Sequence, residues 1–391
     1  MALAWWPGTV PAMDRLLHVE LVTETYPPDV NGVALTVQSL ERGLRQLGHA
    51  VGLVRPQREE ESLRPDPDVM LVEGAPIPRY PGLRFGLPAG KRLTARWQAQ
   101  RPDAVYIATE GPLGWSALRA CRRMGIPVAT GFHTRFDDYV GRYGAGFLSP
   151  WVFSWLRRFH NKADATLVPT RELQETLGQQ GFRHVLRLGR AVDTREFHPG
   201  WRDPALREAW GAGDGPVVLH VGRIAPEKNL PLAVRCFRQL QQQRPDARFV
   251  WVGDGPARAE LQAANPDFIF TGVQRGENLS RHFASADVFC FPSLSETFGN
   301  VTLEAMASGL ATVAFDYGAA REHLCSGAHG ATAAFGDEAG FADMFVATAL
   351  RPDLGMLGAA ARHAVLHLHP GKVARDFADL LGGLSDRRQA A

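Results

Sequence analysis

Two glutamates, Glu296 and Glu304, stand in the short connection between two apolar runs of the chain. The runs, residues 286–294 and 311–316, have the composition of buried strands. A carboxylate beside a core is costly unless it has partners, because burial removes its hydration. The pair therefore raises the question of which partners the two carboxylates meet at this connection. One answer is that both lie in surface loops and helix caps.

Two cations follow another apolar run, in the stretch "VGRIAPEKN" at residues 221–229. Arg223 comes directly after the run, and Lys228 lies five residues further on, before a helical pattern. A forked guanidinium and a point-charge ammonium at the end of a strand suit a diphosphate group. The alternative is a surface pair between Arg223 and Glu227.

Other loops carry weaker signals. Gly32 opens a helix after the loop "TETYPPDVN", where it lets a ligand approach the backbone and the helix N-terminus favours anions; an ordinary turn is the alternative. The glycines of "VGDGPAR" do not complete a dinucleotide motif, and the chain has no Walker sequence. The D-x-D at residues 66–68 lies in a polar Arg/Pro loop and is interpreted as chance rather than a metal site.

The elements that must position these residues alternate between strand-like and helical patterns along the whole chain. This alternation predicts α/β architecture with parallel sheets covered by helices on both faces. The pattern restarts after a connection at residues 192–204. We therefore predict two doubly wound, Rossmann-like domains at 14–195 and 196–369, followed by an amphipathic helix at 370–391. Ligands would bind at the carboxyl ends of the strands, in a cleft where the two domains face each other.

Composition narrows the function class. No apolar run is long enough to span a bilayer, and the N-terminus does not resemble a secretory signal; Met13 is a possible start. Four scattered cysteines indicate neither a zinc site nor a disulfide framework, so we expect a cytoplasmic protein. Residues 1–195 carry 25 Lys+Arg against 19 Asp+Glu. This excess is too small for nucleic-acid binding. It would suit contact with an anionic membrane surface, and a solvated basic face is the alternative.

Five stretches in register carry a family resemblance: "GRAVDTREFHP", "VGRIAPEKN", "VGDGPAR", "FTGV" and "ASADVFCFPSLSETFGNVTLEAMASG". Together they resemble the retaining glycosyltransferases of family 4, which have the GT-B fold of two Rossmann-like domains. The resemblance covers residues 16–324. It implies that the domain at 14–195 binds the acceptor, that the domain at 196–369 binds the nucleotide sugar, and that the helix at 370–391 returns to the N-terminal domain. The stretches "FHTRFDDYVGRYG" and "RRFHNKADATLVPT" are most similar to the branch that contains mannosyltransferases and sulfoquinovosyl- or glucosyl-diacylglycerol synthases.

The resemblance implies a role for each motif residue. Glu304 would accept hydrogen bonds from the nucleotide ribose and Glu296 from the sugar hydroxyls. His133 would lie near the reacting sugar; a core histidine with satisfied hydrogen bonds is the alternative. The implied catalytic residues are His133, Arg223, Lys228 and Glu296. The implied donor-binding residues are Gly32, Arg190, Arg223, Lys228, Val273, Glu296, Phe298, Gly299, Asn300, Val301 and Glu304. Asn31 stands where many members of the family have a second glycine beside Gly32.

The resemblance also implies the reaction: transfer of a hexose from a nucleotide-diphosphate sugar with retention of configuration, without a cofactor or an obligatory metal. Arg223, Lys228 and the helix that begins at Gly299 would stabilise the departing diphosphate. The departing phosphate itself would take the acceptor's proton, and closure of the domains would exclude water. Residues 270–273 would contact the base, and the donor is expected to be of the GDP-mannose or UDP-glucose type.

The acceptor is expected to be a membrane lipid or a glycolipid. Residues 147–162 combine Trp151, Phe153, Trp155 and Phe159 with basic neighbours, which suits peripheral contact with a membrane; a buried core helix is the alternative. A second basic stretch lies at residues 84–101. Three other functions stay open: a sugar-nucleotide epimerase, a pyridoxal-phosphate-dependent phosphorylase, and a non-catalytic protein that binds nucleotide sugars.

Overall fold

Apolar runs of the first half of the chain form one parallel sheet. The computed structural model describes residues 15–29, 31–58, 66–76, 84–133 and 149–390. The sheet has the order β3-β2-β1-β6-β7-β8-β9. Its strands are β1 (His18–Val22), β2 (Ala50–Pro56), β3 (Val69–Val72), β6 (Ala104–Ile107), β7 (Val128–Gly131), β8 (Ala165–Val168) and β9 (Val185–Arg187). Between them, β4 (Gly74–Pro76) and β5 (Arg84–Gly86) pair antiparallel.

Helices connect these strands. They are α1 (Gly32–Gln46), α2 (Gly90–Ala99), α3 (Pro112–Met124), α4 (Ser149–His160) and α5 (Arg171–Gln179). Helix α1 begins where the Asn31 side chain accepts hydrogen bonds from the N–H groups of Val33 (3.1 Å) and Ala34 (2.9 Å). Helix α4 covers residues 149–160 of the aromatic stretch at 147–162, and residues 147–148 lie outside the described part.

The second half forms another parallel sheet, with the order β12-β11-β10-β13-β14-β15. Its strands are β10 (Val217–Val221), β11 (Arg248–Val252), β12 (Ile269–Gly272), β13 (Val288–Phe291), β14 (Ala311–Phe315) and β15 (Gly330–Ala333). All five residues of β10 are buried, as expected for a central strand covered on both faces.

The helices of this half are mostly short. They are α6 (Pro204–Ala209), α7 (Leu230–Gln243), α8 (Arg258–Ala264), α9 (Gly276–Ser285), α10 (Asn300–Ala307), α11 (Gly318–His323), α12 (Glu338–Ala349) and α13 (Leu354–Val365). Single 3-10 turns occur at Pro199–Trp201 and Pro226–Lys228.

The last helix, α14 (Pro370–Gln389), packs against the first sheet's core rather than the second's. Phe377 and Leu381 are fully buried in the cluster that contains β1 and α1. Gly43 of α1 faces Ala374, and a Cβ on Gly43 would come within 2.5 Å of the Ala374 Cβ. The absence of a side chain at Gly43 therefore lets the two helices approach each other closely.

In each sheet there is one point where the order in which the chain adds strands reverses direction. In the first sheet the chain runs outward through β2 and β3 and then returns to β6, so the change lies between β1 and β6. In the second sheet it lies between β10 and β13. In open α/β sheets the loops that diverge at such a point leave a crevice for ligands. No helix in the described part of the chain combines the length and apolar character that crossing a bilayer requires.

Candidate active site

The crevice of the second sheet is framed by two glycine loops in contact. Gly222, after β10, donates its N–H to the carbonyl of Val252 at 3.0 Å. Gly253, after β11, has a φ of +135°, and a Cβ there would lie 1.9 Å from the carbonyl oxygen of Gly222. Only glycine fits this approach, which fixes the backbone from which Arg223 projects.

Arg223 and Lys228 both lie beside this crevice. The Arg223 side chain is 47% exposed, and its Nη1 is 3.8 Å from Glu227 Oε1. A long, exposed ion pair contributes little to stability, so the surface-pair alternative is present in the structure but weak. Lys228 ends the 3-10 turn, and its Nζ donates a hydrogen bond to Glu296 Oε1. The structure thus brings together a residue predicted to bind phosphate and a residue predicted to bind the sugar.

Glu296 is held at both its side chain and its backbone. Its Oε1 also accepts a hydrogen bond from Ser293 Oγ at 2.8 Å. Its N–H donates to the hydroxyl of Tyr317 at 3.1 Å, and that hydroxyl donates to the Ser293 carbonyl at 2.9 Å. Tyr317 therefore clamps the two ends of the turn that presents Glu296. Because its carboxylate already has cationic and hydroxyl donors, Glu296 is better arranged to hold a ligand than to transfer a proton.

Helix α10 points its first turn at the same loop. Gly299 is its N-cap, with a φ of +89°, and no side chain caps the helix. The N–H groups that begin an uncapped helix attract anions. Phe298 does not line the crevice with its ring, which is buried in the core; its carbonyl accepts the N–H of Ala319 at 2.7 Å. Phe298 thus contributes backbone position, whereas Asn300 and Val301 are only partly buried.

Glu304 lies one turn further along α10. Burial, together with the charge of Glu196, raises the pKa of Glu304 to about 7. Among the described residues, none donates a hydrogen bond to its carboxylate. A desolvated carboxylate with unused acceptor oxygens suits a ligand that brings its own hydroxyl groups.

His133 follows β7 and forms two short hydrogen bonds. Arg190 Nη2 is 2.6 Å from His133 Nδ1, and the Tyr106 hydroxyl is 2.6 Å from His133 Nε2. A guanidinium can only donate, so Nδ1 accepts and Nε2 carries the ring proton. Burial and the neighbouring charges of Arg190 and His160 hold the pKa of His133 well below its usual range. His133 is therefore neutral, with its tautomer fixed by its two partners.

The backbone near His133 is built around this contact. A Cβ on Gly131 would lie 2.2 Å from the Tyr106 hydroxyl and 2.3 Å from His133 Nε2. The Tyr106 ring also packs edge-on against Phe377 of α14, with 5.0 Å between the ring centroids. The position of His133 thus depends on a strand, a glycine and the C-terminal helix together.

The predicted residues of the two halves meet across the cleft. A Cβ on Gly32 would lie 3.9 Å from Asn300 Nδ2, so the start of α1 faces the start of α10. Asn31, which departs from the family pattern, has a structural task as the cap of α1. Val273 is set apart: it follows β12, at the edge of the sheet, and is 51% exposed.

Sequence reasoning missed several residues that the structure places here. Tyr106 and Tyr317 occur in apolar strand contexts, and nothing in their local sequence marks a hydroxyl that reaches a distant residue. Glu24 follows β1 and accepts the Leu113 N–H at 3.0 Å, so it caps α3 from outside the helix. Burial and the charge of Glu110 raise the pKa of Glu24 to about 7. Its position after an apolar strand was a signal that could have been used.

Comparisons with known proteins identify the family to which the chain belongs. Residues 30–196 match the family model described as Glycosyltransferase Family 4, and residues 215–349 match the model described as Glycosyl transferases group 1. The chain is 36% identical over 312 residues to a GDP-mannose-dependent alpha-mannosyltransferase of Mycolicibacterium smegmatis, covering 78% of this chain and 81% of that one. It is 27% identical to an alpha-monoglucosyldiacylglycerol synthase of Streptococcus pneumoniae, covering 76% and 71%.

Solved structures show the same fold. HepE of Anabaena, in complex with UDP and glucose, superposes with a TM-score of 0.74 at 18% identity, covering 94% of this chain and all of that one. Sucrose-phosphate synthase of Thermosynechococcus elongatus superposes with a TM-score of 0.71 at 17% identity, covering 94% and 99%. The predicted GT-B fold and the predicted branch are both confirmed. The chain belongs to the family 4, group 1 glycosyltransferases.

Proposed function

We propose that this protein transfers a hexose from a nucleotide-diphosphate sugar to a membrane lipid or glycolipid, with retention of configuration at the anomeric carbon. The observation that carries the proposal is the Lys228–Glu296 contact beside Arg223 and the uncapped start of α10. These groups combine cations for a diphosphate with a carboxylate for sugar hydroxyls. They lie at the point where the strand order of the second sheet reverses.

The donor would lie along α10. Arg223, Lys228 and the first N–H groups of the helix would bind the diphosphate. Lys228 has three N–H donors, so it can bind a phosphate oxygen while it keeps its contact with Glu296. Glu304 would accept the ribose hydroxyls. Names of relatives support donors of two kinds, a GDP-mannose type and a glucosyl type.

The chemistry would rest on electrostatic stabilisation rather than on a protein base or an obligatory metal. As the bond between the sugar and the diphosphate breaks, negative charge develops on the phosphate beside Arg223, Lys228 and the helix start. Both ring nitrogens of His133 are engaged by Arg190 and Tyr106, which leaves it a neutral group that shapes the sugar's surroundings. The departing phosphate would accept the proton of the acceptor hydroxyl.

The acceptor would be a lipid reached at the cytoplasmic face of a membrane. One relative, the alpha-monoglucosyldiacylglycerol synthase of Acholeplasma laidlawii, is named for a diacylglycerol product, and it is 27% identical to this chain. A peripheral enzyme could meet such an acceptor without a membrane-spanning segment.

A nucleotide panel tests the donor site first. Purified protein would be melted with UDP, GDP, ADP, NAD or pyridoxal phosphate at about 100 times the dissociation constant, where a specific ligand adds about 2.7 kcal/mol. We expect UDP or GDP to raise the melting temperature, and Glu304→Ala to abolish that increase. Stabilisation by pyridoxal phosphate or NAD alone would contradict the proposal.

Turnover separates the proposal from a non-catalytic binding protein. The protein that binds the nucleotide would be incubated with the matching nucleotide sugar and dioleoylglycerol or phosphatidylinositol in mixed micelles. We expect a glycosylated lipid by mass spectrometry. Free epimerised sugar nucleotide without lipid product would instead indicate an epimerase.

A further inference from the structure

The outer surface of helices α3 and α4 has an unusual composition. Residues 112–124 and 149–160 contain five arginines, and neither helix contains an aspartate or a glutamate. Arg119, Arg122 and Arg123 are exposed on α3, and Arg157 and Arg158 are exposed on α4. We call this area, together with Lys162 and Arg183 next to it, the α3–α4 surface.

The two helices form one continuous face. Arg122 Nη1 donates to the carbonyl of Lys162 at 2.9 Å, which ties the end of α3 to the end of α4. The Trp115 ring of α3 packs against the Trp155 ring of α4, with 5.9 Å between centroids. The Arg119 guanidinium lies over the Trp115 ring at 5.8 Å from its centroid. Cations and indole rings therefore alternate across the surface of both helices.

Helix α4 does not bury all of its aromatic residues. Leu156 and Phe159 face the core and are 1% and 0% exposed, whereas Trp151 is 78% exposed and Trp155 is 42% exposed. One side of α4 therefore faces the core, as the alternative predicted. The other side is exposed, as contact with a membrane would require. Leaving a tryptophan this exposed is unfavourable in water unless another phase or molecule covers it.

A shallow groove of about 800 Å³ runs along this part of the surface. Trp151 and Trp155 line it together with Arg157, Arg158, Lys162 and Arg183, and none of the described residues that line it is a carboxylate. Indole rings favour the headgroup level of a bilayer, and clustered cations bind anionic headgroups. An acidic protein would also meet the cations, but the indoles beside them match the boundary between headgroups and acyl chains.

The surface is also placed beside the reaction. In a parallel sheet each connecting helix runs back from the carboxyl edge of the sheet, so α3 and α4 both begin at that edge. Trp151 lies in the first turn of α4, which begins 16 residues after His133 in the chain. A bilayer on the α3–α4 surface would therefore lie next to the mouth of the cleft.

We infer that the α3–α4 surface docks on an anionic lipid bilayer, with Trp151 and Trp155 inserted among the headgroups and the cations of both helices on anionic lipid. The biological purpose of this docking rests on the proposed lipid acceptor. The binding itself does not, because it needs neither donor nor acceptor.

Vesicle co-sedimentation tests the docking with the full-length protein in 0.1 M NaCl. Vesicles would contain phosphatidylcholine alone or with 30% phosphatidylglycerol, without any glycosyl acceptor. Wild type should bind the anionic vesicles and not the neutral ones. The variant Arg119→Gln/Arg157→Gln/Arg158→Gln should lose about 100-fold in partition coefficient, since each basic residue near an anionic surface contributes about fivefold. Trp151→Ala should weaken binding with no change in charge.

The matched control is Arg235→Gln/Lys372→Gln/Arg375→Gln, which removes three exposed basic residues elsewhere and the same net charge. It should bind vesicles as wild type does. Nucleotide-dependent melting of each variant would show that the fold and donor site are intact, so loss of docking is distinguishable from failure of the proposed function. Equal vesicle binding by both triple variants, or no binding by wild type, would overturn the inference.

Discussion

At the scale of single residues, the candidate site consists of charged groups whose partners define what each can do. Lys228 is bound to Glu296, Glu304 has no described donor, and His133 is held between Arg190 and Tyr106. The first arrangement suits a sugar phosphate and the second suits ribose hydroxyls. The third excludes a free imidazole base at His133 in this conformation. Substitutions that change these contacts should therefore have distinct effects on turnover, nucleotide affinity and stability.

Lysine 228 should be needed for turnover. Replacing it with alanine removes a cation from the developing phosphate charge and leaves Glu296 without its charged partner. By analogy with the loss of one transition-state donor, kcat/KM should fall about 10²- to 10³-fold. Steady-state kinetics with the nucleotide sugar would measure this. Lys372→Ala is the control, because that exposed lysine pairs with Asp376 on α14, and it should leave kcat/KM unchanged.

Nucleotide affinity should depend on pH through Glu304. Its pKa of about 7 means that the carboxylate, the form that accepts two hydroxyl groups, is mostly ionised at pH 8 and mostly protonated at pH 6. The affinity for UDP or GDP should therefore fall about tenfold from pH 8 to pH 6 in calorimetric titrations. Glu304→Gln should bind the nucleotide more weakly. Its affinity should keep only the pH dependence that comes from titration of the nucleotide's own diphosphate. An unchanged pH profile in that variant would remove Glu304 from the ribose site.

The hydrogen bond between Tyr106 and His133 should contribute to the stability of the fold as well as to activity. Tyr106→Phe keeps the ring but leaves the buried Nε2–H of His133 without an acceptor, which costs about 1–3 kcal/mol. We expect lower stability in urea and lower kcat. The ¹⁵N shifts of the His133 ring should still show the Nε2–H tautomer, because Arg190 continues to donate to Nδ1. Wild-type stability in the variant, or a ring protonated at Nδ1, would contradict this arrangement.

At the scale of elements, the parallel strands and their helices could be predicted, since their patterns are local. Residues 311–316 read as a strand because five apolar or small residues occur in sequence, and β14 forms there. The Tyr106–His133 and Tyr317–Glu296 contacts could not be predicted, because each joins residues more than 20 positions apart through the packing of separate strands. The division of α4 into a core side and an exposed side likewise depends on what surrounds it.

The glycine loops of the second sheet provide a test at this scale. Gly253→Ala places a Cβ 1.9 Å from the Gly222 carbonyl, so the loops that carry Arg223 must separate. Gly213→Ala is the control, because Gly213 also has positive φ, at 50°, but has open space around it. The control should cost about 1–2 kcal/mol in urea unfolding. Gly253→Ala should cost more and should also abolish nucleotide binding; equal costs would contradict the role given to the close contact.

At the scale of the whole molecule, hydrogen bonds and an ion pair join the two halves in addition to the chain connections between them. The Val192 N–H donates to the Leu368 carbonyl at 3.0 Å beside the connection. Near the donor site, Glu322 of α11 accepts the Arg171 N–H at 2.7 Å, and Arg321 pairs with Glu172 at 2.7 Å. Since Tyr317 precedes α11 and clamps Glu296, the loop that presents Glu296 is connected to the contact between the halves.

The C-terminal helix should contribute to the stability of the N-terminal core. Leu381 of α14 is fully buried there, whereas Leu366, just before α14, is 42% exposed. Leu381→Ala should lower the free energy of unfolding by about 2–5 kcal/mol. Leu366→Ala should lower it by less than about 1 kcal/mol. Similar values in urea titrations would show that α14 does not complete the core.

The stereochemistry of the glycolipid product distinguishes transfer with retention of configuration from transfer with inversion. Purified protein would be given GDP-mannose and UDP-glucose in turn, with dioleoylglycerol and phosphatidylinositol as acceptors. The anomeric configuration of any glycolipid would be assigned by NMR. We predict one α-linked product from one donor, absent with Lys228→Ala and present with Lys372→Ala. A β-linked product, or an α-linked product that Lys228→Ala forms at the wild-type rate, would contradict the account.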